Sequence, residues 1–235
     1  MAFSFDSKIR YSEVDADCSL TLTGLTNYFQ DCSVFHSEAL DVSVDYLERN
    51  HIAWVLSSWQ ICIERMPKLN DKVKVSTWAY DMKAFYGYRN FKMEDENGDM
   101  LAYANSVWVL MDTQSGRPLK ISKEFADTYG FEPKLEMEKT ERKIPVPDDL
   151  EEAGKIVVPQ YFIDSNHHMN NEKYIMLAQK LLPADFKLKE LRVEYRKEAK
   201  LSDTIVSYVK HTPERTVVLL ADEEKKPYAV ISMLQ

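Results

Sequence analysis

Cysteine is scarce in this chain: of 235 residues only Cys18, Cys32 and Cys62 are cysteines, all in the first third and without paired C-x-x-C spacing. Neither a disulfide framework nor a thiolate zinc site is expected from so few. Five histidines, His36, His51, His167, His168 and His211, offer no zinc-like spacing beyond one adjacent pair, so no metal is expected. Nothing points to an organic cofactor. Only six glycines and nine prolines occur, and no apolar run reaches the length of a membrane-spanning helix. The opening "MAFSFDSKIRYSEVD" lacks both the apolar centre of a secretion signal and an Arg/Ser-rich transit pattern. A soluble protein of the bacterial cytoplasm is the expectation. Basic residues are outnumbered, for a net charge of −8, which argues against nucleic acid or an anionic membrane as partner.

What the chain does have is apolar and aromatic content, 45% and 11%, enough for one large core or two modest ones. From Ile52 it reads strand, turn, strand: "IAWVLSSWQICIERM", "KLNDKVKVSTWAYDM", "GYRNFKMED", the Asn-Gly turn "ENGD", then "MLAYANSVWVLMD". β-branched and aromatic residues dominate, which predicts an antiparallel sheet of about four strands. Ahead of it, Leu22, Leu25, Phe29, Cys32 and Phe35 fall at three- and four-residue steps and predict an amphipathic helix. Laid on the sheet, that helix would bury both apolar faces, giving an α+β unit.

The pattern then returns. "YSEVDADCSLT" aligns with "YFIDSNHHMN" so that Asp15 pairs with Asp164, Asp17 with Asn166 and Ser19 with His168. Downstream, "KLNDKVKVSTW" aligns with "KLSDTIVSYVK", Leu69 on Leu201. The second offset is the shorter, which places extra helix in the first copy, between Asn27 and His51. Two copies of one unit are expected, residues 1–130 and 156–235, joined by a charged, proline-bearing linker at 131–155.

In an extended segment Asp164, Asn166 and His168 would point to one side and converge. The helical spacing of Met169, Tyr174, Leu177 and Leu181 follows at once, with Asn170 or Asn171 as its cap, so the trio would sit beside a helix N-terminus suited to an oxyanion. Taken singly, Asp164 and Asn166 also fit turn or capping roles, and a lone histidine is more often packed than catalytic. A second element, "LRVEYRKEAKLSD", alternates Val193 and Tyr195 against Glu194, Arg196 and Glu198. A bulge before its turn would swing Glu198 around, and the alternative is a strand-end glutamate paired with Lys200 or Arg196.

The D-x-N-x-H-x-N-N arrangement at Asp164, Asn166, His168, Asn170 and Asn171, followed by "EYRKEA", resembles the acyl-acyl carrier protein thioesterases of plants and bacteria. "RYSEVDADCSLTLTGLTNYFQDCS" and "WVLSSWQICIERMPKLNDKVKVSTW" resemble the first half of the same family. The resemblance implies a double hotdog fold, each half a long helix wrapped by an antiparallel sheet. It implies hydrolysis of a fatty acyl thioester carried on the phosphopantetheine arm of acyl carrier protein. Carried over by position, it makes Asp164, Asn166, His168 and Glu198 the active-site set of the second half. The plant motif has a cysteine after the glutamate, where this sequence has Ala199, and no cysteine follows Cys62. Attack by water, activated by Glu198 and His168 with the base undecided between them, is therefore expected. Asp164 would orient the histidine or a neighbouring amide and Asn166 would polarise the carbonyl, while His167 would be structural.

The first half, with Asp17, Ser19 and Met66 at the corresponding places, would lack a catalytic set and supply the acyl pocket, with Phe29, Phe35, Trp54, Trp59 and Trp108 as candidate lining. Lys187, Lys189, Arg192, Arg196, Lys197 and Lys200 form a candidate landing patch for the acidic carrier, or else a solvated strand face. Competing readings are an acyl-coenzyme A thioesterase, a hotdog hydratase or dehydratase, and a noncatalytic acyl-binding protein. Monomer and homodimer are both compatible with the sequence.

Overall fold

The computed structural model describes residues 2–235, and the chain divides into two compact units. The first comprises Met1–Ser57 and Ile61–Glu138, the second Ser58–Gln60 and Lys139–Gln235.

In the first unit the elements are β1 (Phe3–Lys8), α1 (Leu22–Ala39), α2 (Val44–Arg49), β2 (Ile52–Ile63, apart from Ser58–Gln60), β3 (Lys72–Lys83), β4 (Tyr86–Asp95), β5 (Met100–Asp112), β6 (Arg117–Pro118) and α3 (Lys123–Tyr129). The strand order is β1-β3-β4-β5-β2, with β6 paired to β5. The pairs β1–β3, β3–β4 and β4–β5 are antiparallel. The four strands anticipated from Ile52 are β2 to β5, and Asp95 closes the "ENGD" turn by accepting the N–H groups of Asn97 and Asp99, with Gly98 at φ +84°. The short β1 and the seven-residue α3, capped by Ser122, add to that pattern.

Helix α1 begins where the Thr21 side chain accepts the Gly24 N–H, and it packs on β1 and β3. Leu22, Leu25, Phe29 and Cys32 are buried, and Phe29 meets Phe91 of β4 with ring centroids 5.4 Å apart. Full burial of a side chain the size of Phe29 contributes about 2–3 kcal/mol. Phe35, on the same predicted stripe, is 46% exposed and lies edge-on to Phe5.

The second unit contains β7 (Glu151–Val157), α4 (Asn171–Gln179), β8 (Glu190–Tyr195), β9 (Thr204–His211), β10 (Arg215–Ala221) and β11 (Pro227–Leu234), ordered β8-β11-β10-β9-β7 with antiparallel neighbours. Helix α4 packs on β10 and β11 and buries Tyr174, Ile175, Leu177 and Ala178. It has nine residues against the 18 of α1, and α2 also falls between Asn27 and His51, where the offsets placed the extra helix.

The stretch anticipated as linker is more structured than its composition suggests. Trp78 donates to the Pro133 carbonyl, and Asn90 Oδ1 accepts the Leu135 N–H, so the segment's start docks on the first unit. Strand β7 begins at Glu151, inside the expected 131–155 span. It is an edge strand pairing only with β9 and is exposed along almost its whole length, so it carries no apolar alternation to read.

Candidate active site

Residues 164 to 168 are not extended: they form a tight turn built by Asp164. Its Oδ1 accepts the backbone N–H groups of Asn166 (2.8 Å) and His168 (3.4 Å), while its own N–H donates to the His168 carbonyl and its carbonyl accepts from His167. His167 takes the left-handed conformation, φ +62°, that closes the turn, and Ile163 bridges Met169 on either side. The expected convergence of three side chains from one strand face is thus replaced by a carboxylate consumed in holding the backbone. Local Asx geometry overrides extended alternation here.

The turn delivers His168 to Glu198. His168 Nε2 lies 3.1 Å from Glu198 Oε2, with side chains 30% and 49% exposed, so the pair is open to solvent and to a substrate. Immediately after the turn Asn170 caps α4, its Oδ1 accepting the Glu172 N–H, which settles the choice between Asn170 and Asn171. Asn166 is exposed at the turn's outer corner.

Glu198 reaches this position because β8 ends at Tyr195, so strand alternation no longer governs it. Glu194, on the strand face opposite Val193 and Tyr195, is buried: its carboxylate accepts the Ile144 N–H and bonds the Arg196 guanidinium. After Glu198, the Ala199 carbonyl accepts the Met169 N–H at 2.8 Å and the Ala199 N–H donates to the Tyr174 hydroxyl at 2.9 Å. Sequence reading missed Tyr174, which was counted only as a helix-face residue.

The first unit repeats the turn and its tie to the neighbouring segment. Asp15 Oδ1 accepts from Asp17 and Ser19, Asp15 N–H donates to the Ser19 carbonyl, and Cys18 takes φ +57°. Leu20 N–H donates to the Pro67 carbonyl, as Met169 does to Ala199. The chemistry differs: Ser19 Oγ receives the Lys68 ammonium at 2.6 Å, and Met66 stands where Glu198 does. A histidine–carboxylate pair belongs to the second unit's turn and not to the first's.

Chain-wide comparison agrees with this duplicated scaffold. The family model for the acyl-ACP thioesterase N-terminal domain matches residues 2–129, and that for the acyl-ACP thioesterase C-terminal domain matches residues 148–228. The chain belongs to the acyl-ACP thioesterase family. It is 27% identical over 216 residues to the chloroplastic palmitoyl-acyl carrier protein thioesterase of Cuphea hookeriana, covering 84% of this chain and 52% of that one. It thus spans about half the length of the curated relatives it matches. Among solved structures, an acyl-ACP thioesterase from Bacteroides thetaiotaomicron superposes with TM-score 0.91 at 21% identity, covering 99% of this chain and 97% of that one. The 12:0-ACP thioesterase of Umbellularia californica gives 0.87 at 19% identity, covering 99% and 96%. At these identities the likeness establishes the fold, a double hotdog of α+β class.

Two groups of residues singled out from this thioesterase-family sequence have local partners. Of the candidate pocket lining, Phe29 and Trp59 are buried, Trp54 donates to the Tyr129 hydroxyl, and Trp108 donates to Ser106 Oγ. Within the basic cluster, Arg196 pairs with Glu194, Lys197 with Asp222, and Arg192 donates to the Glu141 carbonyl. Two of its six cations, Arg196 and Lys197, are therefore paired with carboxylates.

Proposed function

We propose that this family member hydrolyses fatty acyl thioesters of acyl carrier protein, releasing free fatty acid and the carrier's thiol. The observation that carries the reading is the His168 Nε2 to Glu198 Oε2 contact of 3.1 Å at an exposed turn beside a capped helix start. A carboxylate can only accept, so a neutral His168 facing Glu198 carries its proton on Nε2 and presents Nδ1 as the basic nitrogen. Water loses a proton to Nδ1 as its oxygen attacks the thioester carbonyl carbon; the tetrahedral intermediate then collapses with cleavage of the C–S bond, and the imidazolium returns the proton to the leaving sulfur. Glu198 orients the ring and stabilises its charged form. Asn166, exposed on the turn, supplies the oxyanion contact. Asp164 acts through the backbone, by holding the turn that presents His168.

No thiol takes part in this scheme. Ala199 follows Glu198, and burial pushes the Cys32 thiol up to about 12, far from a nucleophilic thiolate. The reaction needs no cofactor beyond the pantetheine arm that the substrate brings. Membership of the family supports the carrier protein as partner, and a location in the bacterial cytoplasm is part of the same proposal.

The test is fatty acid release from a panel of acyl carrier protein and coenzyme A thioesters by wild type, His168→Ala and Glu198→Ala. Loss of roughly 10²-fold or more in both folded variants, with a salt-sensitive preference for the carrier-bound series, supports the reading. A wild type that releases nothing from either series ends it.

A further inference from the structure

We propose that Tyr174 is a positioning residue for Glu198, an inference that rests on the hydrolase reading above. Glu198 lies in the irregular stretch between β8 and β9, where no sheet ladder fixes it. Its carboxylate must nevertheless stay within hydrogen-bond reach of His168, and the backbone on either side does that work. Before it, the N–H groups of Arg196 and Lys197 both donate to the Tyr228 carbonyl, at 2.8 and 3.2 Å. After it, the two polar groups of Ala199 tie the chain to the element that carries His168. The carbonyl accepts from Met169, the residue following His168, and the N–H donates to the phenol of Tyr174, one turn into α4.

Tyr174 is suited to act as a fixed post. It is 2% exposed, and its ring stands edge-on to Tyr195 with centroids 5.7 Å apart. A buried aromatic ring has two torsions to settle, so its hydroxyl is placed as firmly as the helix. Burial, with Glu198, Asp203 and Tyr228 nearby, raises the phenol's pKa and keeps it neutral, and a neutral phenol oxygen accepts the Ala199 N–H while keeping its own proton.

The first unit provides an internal control. The residue aligned with Tyr174 is Leu25 and the residue aligned with Ala199 is Pro67. Pro67 keeps the carbonyl bond, to Leu20, but has no N–H to place, and no hydroxyl is present to receive one. The phenol and the amide it holds occur together, in the unit that carries the carboxylate, and both are missing beside Met66. If Tyr174 merely satisfied a buried N–H, its loss would cost stability alone. If it sets where Glu198 stands, its loss costs turnover as well.

The experiment compares the full-length wild type with Tyr174→Phe and with Tyr195→Phe on the best thioester of the panel. Tyr195 is the control because the proton of its hydroxyl goes to the Asn171 carbonyl and not to the backbone that carries Glu198. Expected for Tyr174→Phe is a kcat lower by roughly tenfold to hundredfold with KM within about twofold, as for a catalytic group displaced by an ångström or less. Tyr195→Phe is expected to lose stability and keep its kcat. Wild-type kcat in folded Tyr174→Phe, or an equal kcat loss in Tyr195→Phe, overturns the proposal. Should Tyr174→Phe fail to fold, a ring-fluorinated tyrosine at position 174 keeps the shape and places a more acidic phenol beside Glu198. A displaced pH–rate profile then supports the proposal and an unchanged one overturns it. Inactivity of the wild type would instead remove the hydrolase reading, and the separate response of Glu198→Ala keeps the two failures apart.

Discussion

Asp15 and Asp164 close the same turn in the two units, each carboxylate accepting the backbone N–H groups two and four residues on. One turn presents Ser19, the other His168. The aspartate is thus a construction element of both turns, and the histidine–carboxylate contact is found beside one of them.

From this follows a paired prediction. Asp15→Ala and Asp164→Ala each remove an acceptor for two backbone donors at an exposed turn, and each should cost about 1–2 kcal/mol in thermal or denaturant unfolding. Their activities should separate: Asp164→Ala loses turnover by roughly 10²-fold because His168 is no longer presented, while Asp15→Ala keeps it. Asp164→Asn retains an oxygen acceptor and should stay within about tenfold of wild type. An Asp164→Asn enzyme as inactive as Asp164→Ala would show that the negative charge, and not the turn, matters.

Glu198 is half exposed, so replacing it should leave the fold intact and expose its chemical role. Glu198→Gln keeps an oxygen for the His168 N–H but discards the charge that stabilises the imidazolium. Turnover should fall by about 10²-fold or more with little change in KM, since the interaction is strongest after proton transfer. A rise in KM alone would reassign Glu198 to substrate binding.

How much of this was legible follows from which interactions leave a periodic trace. The repeat was readable because the same turn, cap and helix demand similar residues in the same order, as Asp15 and Asp164 or Thr21 and Asn170 show. The helix α1 and the strands β2 to β5 were readable from their apolar spacing. The exposed edge strand β7 was not, for it buries too little to mark itself. At the site, the residue types were readable and the geometry was not. An i, i+2, i+4 series fits an extended segment and an Asx turn equally, and only the backbone bonds to Asp164 choose. Tyr174 escaped because its helix-face spacing accounts for it fully until its hydroxyl is seen at Ala199.

The first unit holds a buried histidine whose protonation should be visible in stability. His36 is 2% exposed, and burial, together with the adjacent Arg89 guanidinium 2.9 Å from its Nδ1, pushes its pKa down to about 3 from the ordinary 6.5. Between those values the unfolded chain binds a proton that the folded one refuses, so stability is full above about 6.5 and is lost as pH falls toward 3. On going from pH 7 to pH 5 this residue should remove up to about 2 kcal/mol. His36→Gln can still accept from Arg89 and should flatten that part of the curve. Parallel pH dependences of unfolding in wild type and variant would mean that His36 does not titrate as described.

Gly87 of β4 gives the final prediction, and it concerns packing alone. A Cβ built there would lie 3.0 and 3.1 Å from the Trp54 ring carbons Cη2 and Cζ3. The ring has little freedom to retreat, because its Nε1 donates to Tyr129 and its face stacks on Phe125 with centroids 6.1 Å apart. Gly87→Ala should therefore destabilise the protein by about 1–3 kcal/mol through overpacking. Trp54→Leu alone should also destabilise, by leaving a void and removing the indole N–H that the Tyr129 hydroxyl accepts. The two changes compensate each other in shape, so the double variant should be less destabilised than the sum of the single ones. Denaturant unfolding of all four proteins decides this, and strict additivity would show that the alanine methyl is absorbed by backbone movement and not resisted by the indole.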